Sequence, residues 1–304
     1  MDNFRHAYFE TTLDCWEDIF KIPQRFMDKF VFRGQGSYKW DLSNSLERSV
    51  KRYYPNNVDS LLSLSEERSI IKEFKWKYPL YSKSQPLAYE LVEWLTIMQH
   101  HGAPTRLLDI TKSLFIAVYF ALSEHLQEDS AVWAINGIVF RANVLARYRS
   151  LNQVVVVGQD ALTEFTHKSA NQILHNRSKH DEWASIFYIE PKIINERISR
   201  QQGAFLMPAN IETSFANNLA GHISNNDPII IDFKELIKYS VLEKYKQDDI
   251  TLMKIVIPKE LNFEIGKYLR AMNITAEMLF PGLDGLCKSL SYLRMEGMGN
   301  SFKP

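Results

Sequence analysis

EWLTIMQHHGAPTRLLDITKSLFIAVYFAL, residues 93–122, decides how this chain folds. Its start belongs to LAYELVEWLTIMQH at 87–100, where Leu91, Trp94, Leu95 and Met98 share one face of an amphipathic helix. Gly102 and Pro104 then break the helix, and TRLLDI at 105–110 reads as an extended piece. Beyond it Leu114, Ala117, Val118, Ala121 and Leu122 recur at i, i+3, i+4, i+7 and i+8. That spacing predicts a second helix buried along a broad stripe, with Asp109 or Thr111 as its cap.

Working outward, FVFRGQ at 30–35 is an aromatic and β-branched run ending beside a glycine, a strand meeting a turn. Residues 42–54 read as a loop and a basic helix, and a further helix capped by Ser65 carries Ile70, Ile71, Phe74 and Tyr78 as far as Pro79. Strands are expected at 131–136, 154–157, 184–191, 203–208 and 250–258, and helices at 259–272 and 283–293. The first 28 or so residues read as a helical head anchored by Phe20 and Phe26. Strands and helices do not alternate regularly, so the expected class is α+β: a mixed or antiparallel sheet with flanking helices. No composition shift marks a linker, and residues 1–304 are expected to form one domain.

The composition narrows the function. Of 304 residues, 45% are hydrophobic and 24% charged, ordinary for a globular protein. Lysine plus arginine equals aspartate plus glutamate at 36 each, a balance that speaks against binding nucleic acid mainly by neutralising phosphates. Two cysteines, Cys15 and Cys287, cannot build a disulfide framework or a four-thiolate zinc site. The N-terminus lacks the basic-then-apolar pattern of a signal peptide, and apolar runs such as 114–122 fall well short of the roughly 20 residues that span a bilayer. The expectation is a cytoplasmic protein with no membrane partner.

Chemistry concentrates at QHHGAPTRLLD, 99–109, which packs Gln99, His100, Thr105, Arg106 and Asp109 between two apolar helices. Polar groups in such a setting must be satisfied by one another or by a ligand. An Arg106–Asp109 ion pair and a satisfied core histidine at 100 are the bland explanations of single residues; the density of the cluster favours a site. Arg33, at a strand end beside a glycine, can extend its fork toward an anion or pair a carboxylate at a sheet edge. The adjacent His100 and His101 would point about 100° apart on a helix, and no metal-ligand spacing is present, so no metal is expected.

Four stretches carry a resemblance: VFRGQGSYKWDLSNSLER at 31–48, residues 93–122, ERISRQQGAF at 196–205, and MNITAEMLFPGLDGLCKSL at 272–290. Together they resemble the FRG domain family, named for the Phe-Arg-Gly that stands here as Phe32, Arg33 and Gly34. The family is bacterial and phage-borne, mostly without assigned activity, and several members have toxin or phage-defence associations. Its pattern singles out Arg33, Gln35, Trp40 and Arg48; Gln99, His100, Pro104, Thr105, Arg106 and Asp109; and Arg197, Gln201, Gly203 and Phe205. Ile110 replaces a common tryptophan, a change of packing.

The leading hypothesis is an enzyme resembling the ADP-ribosyltransferases and acting on NAD, with the fold similarly arranged. An arginine followed by glycine on an early strand resembles the arginine that holds dinucleotide phosphates in one branch of that superfamily. Arg33, Gln35, Gln99, Thr105, Arg106 and Arg197 would bind a phosphate-bearing small molecule, and His100, Asp109 and Gln201 would carry the chemistry. Gln201-Gln202-Gly203 stands where that branch has its catalytic glutamate, and two glutamines bring no carboxylate. Glu190 and Glu196 are near in sequence but off position. A non-catalytic nucleotide-sensing or protein-interaction module stays open, as does nucleic-acid hydrolysis with His100 as general base.

Overall fold

The computed structural model describes residues 7–22, 28–55, 60–83, 86–123, 127–152, 158–175, 184–222, 229–230, 233–236 and 250–290. Among the described residues, eight strands form one sheet: β1 (Ala7–Thr12), β2 (Phe30–Gln35), β3 (Leu108–Thr111), β4 (Ser130–Asn136), β5 (Ile186–Ile189), β6 (Gly203–Pro208), β7 (Ile229–Ile230) and β8 (Ile250–Ile257). Their order is β5-β6-β3-β2-β4-β8-β1-β7. β1 runs parallel to β7 and β8, and every other neighbouring pair is antiparallel, which makes the sheet mixed. The helices are α1 (Ser45–Tyr53), α2 (Ser60–Lys77), α3 (Leu91–His100), α4 (Leu114–Leu122), α5 (Gly137–Asn152), α6 (Gln159–His175), α7 (Glu196–Arg200), α8 (Phe215–Ala220), α9 (Phe233–Leu236), α10 (Asn262–Ala271), α11 (Ala276–Leu279) and α12 at 283–290.

The pleat sorts side chains between two faces. Phe30 and Phe32 of β2, Val132 and Ala134 of β4, and Met253 and Ile255 of β8 join α4, α10 and α11 in one apolar cluster. Val31, Trp133, Ile135 and Leu252, offset by one residue, join Leu206, Phe215 and Leu219 on the other face. α3 and α6 cover the β5–β6 edge through Val92, Leu95, Met98, Ala170, Phe187 and Phe205. α4 is buried nearly all round, as Leu114, Ile116, Ala117, Val118, Tyr119, Ala121 and Leu122 all lie inside. The five positions expected in its stripe are thus core, and Ser113 caps the helix by accepting the Ile116 N–H at 3.3 Å, in place of Asp109 or Thr111.

Gly34 explains how α4 comes so close. A Cβ there would lie 1.9 Å from the Ala117 carbonyl oxygen and 2.5 Å from the Ala121 nitrogen, both backbone atoms. Only a residue without a side chain lets the helix sit on the strand.

Two expectations need correction. Among the described residues of the head, β1 and a 3-10 turn at Trp16–Lys21 stand where a helix was expected, because Phe9, Thr11 and Leu13 are buried with period two along and just past the strand. Phe20 is half exposed, and Phe26 lies outside the described residues. Ser65 does not cap its helix, since α2 begins a turn earlier and passes through it. The strand expected at 154–157 lies outside the described residues.

Candidate functional site

β2 and β3 share a single register pair, Phe32 with Thr111, whereas β2 matches β4 over six positions and β3 matches β6 over four. Past that pair the two strands part. A cleft of about 910 Å³ opens there, lined by Arg33–Gly36 on one side, Asp109–Thr111 on the other, and the loop and helix at 39–51 above. Arg33 laces the seam, its Nη1 donating to the Asp109 carbonyl oxygen at 2.8 Å. The side chain thereby satisfies a backbone group that the parted ladder leaves open.

The Phe-Arg-Gly triplet divides its work by the pleat. Phe32 is buried under α4 and Gly34 admits that helix, while Arg33 points to the opposite face and into the cleft. Gln35 is buried and committed: its Oε1 accepts the Trp133 indole N–H at 2.7 Å, and its Nε2 donates to the Asp41 carbonyl at 3.2 Å. It shapes the loop that forms the cleft wall.

Of the residues expected to bind or react, Arg33, Gln35, Asp109, Arg197 and Gln201 line the cleft; Gln99, His100, Thr105 and Arg106 are not among its lining residues. Gln99 and Thr105 stand directly behind Asp109. Thr105 Oγ1 donates to Gln99 Oε1 at 2.6 Å, and Gln99 Nε2 donates to Asp109 Oδ2 at 2.7 Å. The chain of bonds fixes the Asp109 carboxylate at the cleft mouth.

Arg106 is a correction. Its guanidinium forms a bidentate pair with Glu67 of α2, both side chains being almost fully buried, so it meets neither Asp109 nor the cleft. It pins α2 beneath the 99–109 segment.

His100 also stands apart. Burial, with His101 and Arg197 nearby, holds its imidazole below the usual range and therefore neutral at pH 7. It touches the cleft only through its carbonyl oxygen, which accepts Arg197 Nη1 at 3.4 Å.

Gln201 Nε2 donates to the Leu279 carbonyl at 3.1 Å, while its own carbonyl accepts Thr111 Oγ1 at 2.7 Å. These bonds tie α11 to the sheet. Glu190 is clamped by Lys112 at 2.5 Å and Arg141 at 3.1 Å; burial pushes its carboxyl up, but the two cations outweigh that and hold it below the ordinary range. Glu196 pairs with Arg200 at 2.7 Å. Neither glutamate enters the cleft lining.

The fold also brings in residues that were not singled out as ligands: Lys39, Trp40, Asp41, Glu47, Arg48 and Lys51. Glu47 ties two helix starts. It completes a capping box with Asn44, accepting that N–H at 3.3 Å, and also accepts the N–H of Phe215, the first residue of α8. Burial pushes its carboxyl from the ordinary 4.5 up to about 7, against the pull of those N–H groups and of Arg48. The Asn44–Glu47 spacing was readable; the link to Phe215, 168 residues away, was not. In all, Arg33, Lys39, Arg48, Lys51 and Arg197 line the cleft together with Asp41, Glu47 and Asp109, an excess of cations in a chain with none overall. Trp40 leaves 42% of its surface exposed at this wall.

Among the described residues, no three histidine, cysteine, aspartate or glutamate side chains gather as a metal site, and no helix is long and apolar enough to cross a membrane. No curated protein and no solved structure matches the chain. The family comparison does match, over residues 28–130, about a third of the chain. That stretch holds Arg33, Gly34, the 39–51 wall and the Gln99–Thr105–Asp109 relay, and it matches the FRG domain family, so the chain carries an FRG domain over those residues.

Proposed function

We propose that the cleft holds a phosphate-bearing ligand, NAD foremost, and that the protein is an NAD-directed enzyme of the ADP-ribosyltransferase type. The observation that carries this is the concentration of five cationic side chains, Arg33 among them, in a chain of zero net charge. A guanidinium anchored to the strand seam presents a planar fork suited to two phosphate oxygens at once. Trp40 offers an aromatic face on which a base can stack. Asp109, oriented by Gln99, supplies the carboxylate that Gln201 cannot, beside a ribose whose positive charge grows as the nicotinamide bond breaks. The toxin or phage-defence setting that the family resemblance implies belongs to the same reading.

A second reading, a nucleotide-sensing module, is favoured by one observation: Asp109 and Glu47 already accept hydrogen bonds from within the protein. Calorimetry with NAD on wild type, Arg33→Lys and Arg33→Ala tests both readings, alongside chromatographic detection of released nicotinamide. Wild type should bind, and Arg33→Lys should lose about 1.5–3 kcal/mol, roughly tenfold or more in affinity, because lysine keeps charge but not the fork. Binding with nicotinamide release supports the enzyme, binding without it the sensor, and no binding ends the transferase reading.

A further inference from the structure

A second cavity, of about 400 Å³, lies between α4, α10 and the Ile274–Ala276 segment entering α11. Its inner wall is apolar, with Tyr119, Leu122, Leu269 and Ile274. Its rim is basic: Lys259, Lys267 and Arg270 outnumber Glu260. Lys267 Nζ lies 4.5 Å from the centroid of the Phe263 ring, an aromatic contact that holds the ammonium along the rim.

One wall position carries a residue that the fold does not require. Gly266 stands inside α10, where glycine is less favourable than alanine. Its φ is not left-handed, and a Cβ built there meets no atom within 4 Å. Gly34, by contrast, is forced by a helix backbone. Glycine at 266 has neither a packing nor a conformational cause; what it does is keep the cavity wall open.

We infer that this cavity binds an amphipathic organic anion, an apolar chain ending in a carboxylate. The chain would lie against Leu122, Leu269 and Ile274, and the head group at Lys259 and Lys267, the combination of apolar wall and few convergent charges that small-molecule sites use. The inference stands apart from the NAD reading, since none of these residues lines the cleft.

Laurate below its micelle concentration is the probe, titrated into the full chain by calorimetry, with dodecanol and dodecyltrimethylammonium as controls. Wild type should bind one equivalent of laurate, and the alcohol and the cation at least about tenfold more weakly. Gly266→Phe, which fills the cavity, and the surface reversal Lys259→Glu/Lys267→Glu should each weaken laurate about tenfold or more, while Gly266→Ala keeps it. If Gly266→Phe fails to fold, the reversal variant decides alone. No laurate binding by wild type, equal binding of the cation or alcohol, or unchanged binding by a folded filled or reversed variant would overturn the inference.

Discussion

Exchanging Arg106 for methionine should cost the protein stability while sparing the chemistry of the cleft. Both members of the Arg106–Glu67 pair are 3% exposed, and their bonds are bidentate, with Nε to Oε1 at 2.7 Å. Removing one partner strands the other charge in a low-dielectric setting, which costs about 3–5 kcal/mol. At roughly 2–4 °C per kcal/mol for larger domains, the melting temperature should fall by about 6–20 °C, nearer the lower end for a chain this long. The double exchange Glu67→Leu/Arg106→Met removes both charges and should recover most of the loss, because desolvating an ion pair offsets much of its attraction. A thermal-melt double-mutant cycle, with NAD titrations on each folded variant, separates structure from ligand binding. If Arg106→Met melts like wild type yet loses NAD binding, the guanidinium is a ligand group, as the sequence alone suggested, and the structural assignment fails.

Leu114→Ala in α4 should cost about 2–5 kcal/mol in chemical denaturation, since the surrounding core cannot fully close the void; an unchanged midpoint would refute its place in the core. Gly34→Ala should destabilise by more than the roughly 1–3 kcal/mol of ordinary overpacking, as the clash is with backbone; a variant of native stability would mean that α4 does not sit on β2 as described. Glu47 gives a pH test. Its carboxyl binds a proton more tightly folded than unfolded, so its contribution to stability is full below pH 4.5 and is lost as pH rises through about 7, by at most about 3 kcal/mol. Urea denaturation from pH 4.5 to 8 should show wild type losing stability relative to Glu47→Gln across that window; a constant difference would reject the buried proton.

Much of the sheet was legible. FVFRGQ and GAFLMP became β2 and β6 with the expected bounds, because aromatic and β-branched runs beside turn residues leave few alternatives. β1 was missed although Phe9, Thr11 and Leu13 alternate, since its partners β7 and β8 are more than two hundred residues away. At the candidate site, Asp109 stands in the dense polar segment at 99–109 and Arg33 at a strand end beside a glycine, but the sequence could not say which arginine faces outward. Arg106 and Arg33 both fall in segments that read as extended. Glu67, on a helix 39 residues upstream, decides that Arg106 is buried, and such a partner leaves no mark near the residue it neutralises.

The placement of the strands bears on how this chain acquires its shape. The family stretch, residues 28–130, contains all of β2 and β3 but only the first residue of β4, and its two complete strands share one register pair. The edges that complete it, β6 beside β3 and β8 beside β4, are supplied by later chain, and β1 must wait for β8 before it can take its place in the sheet. The unit recognised by sequence kinship is therefore not a unit of folding. Loops this long close late and slowly, so during synthesis β1 and β4 have unpaired edges until residue 257 has emerged. A fragment ending at 130 should be a poor vehicle for studying the cleft, and the growing chain has reason to be shielded from pairing with its neighbours.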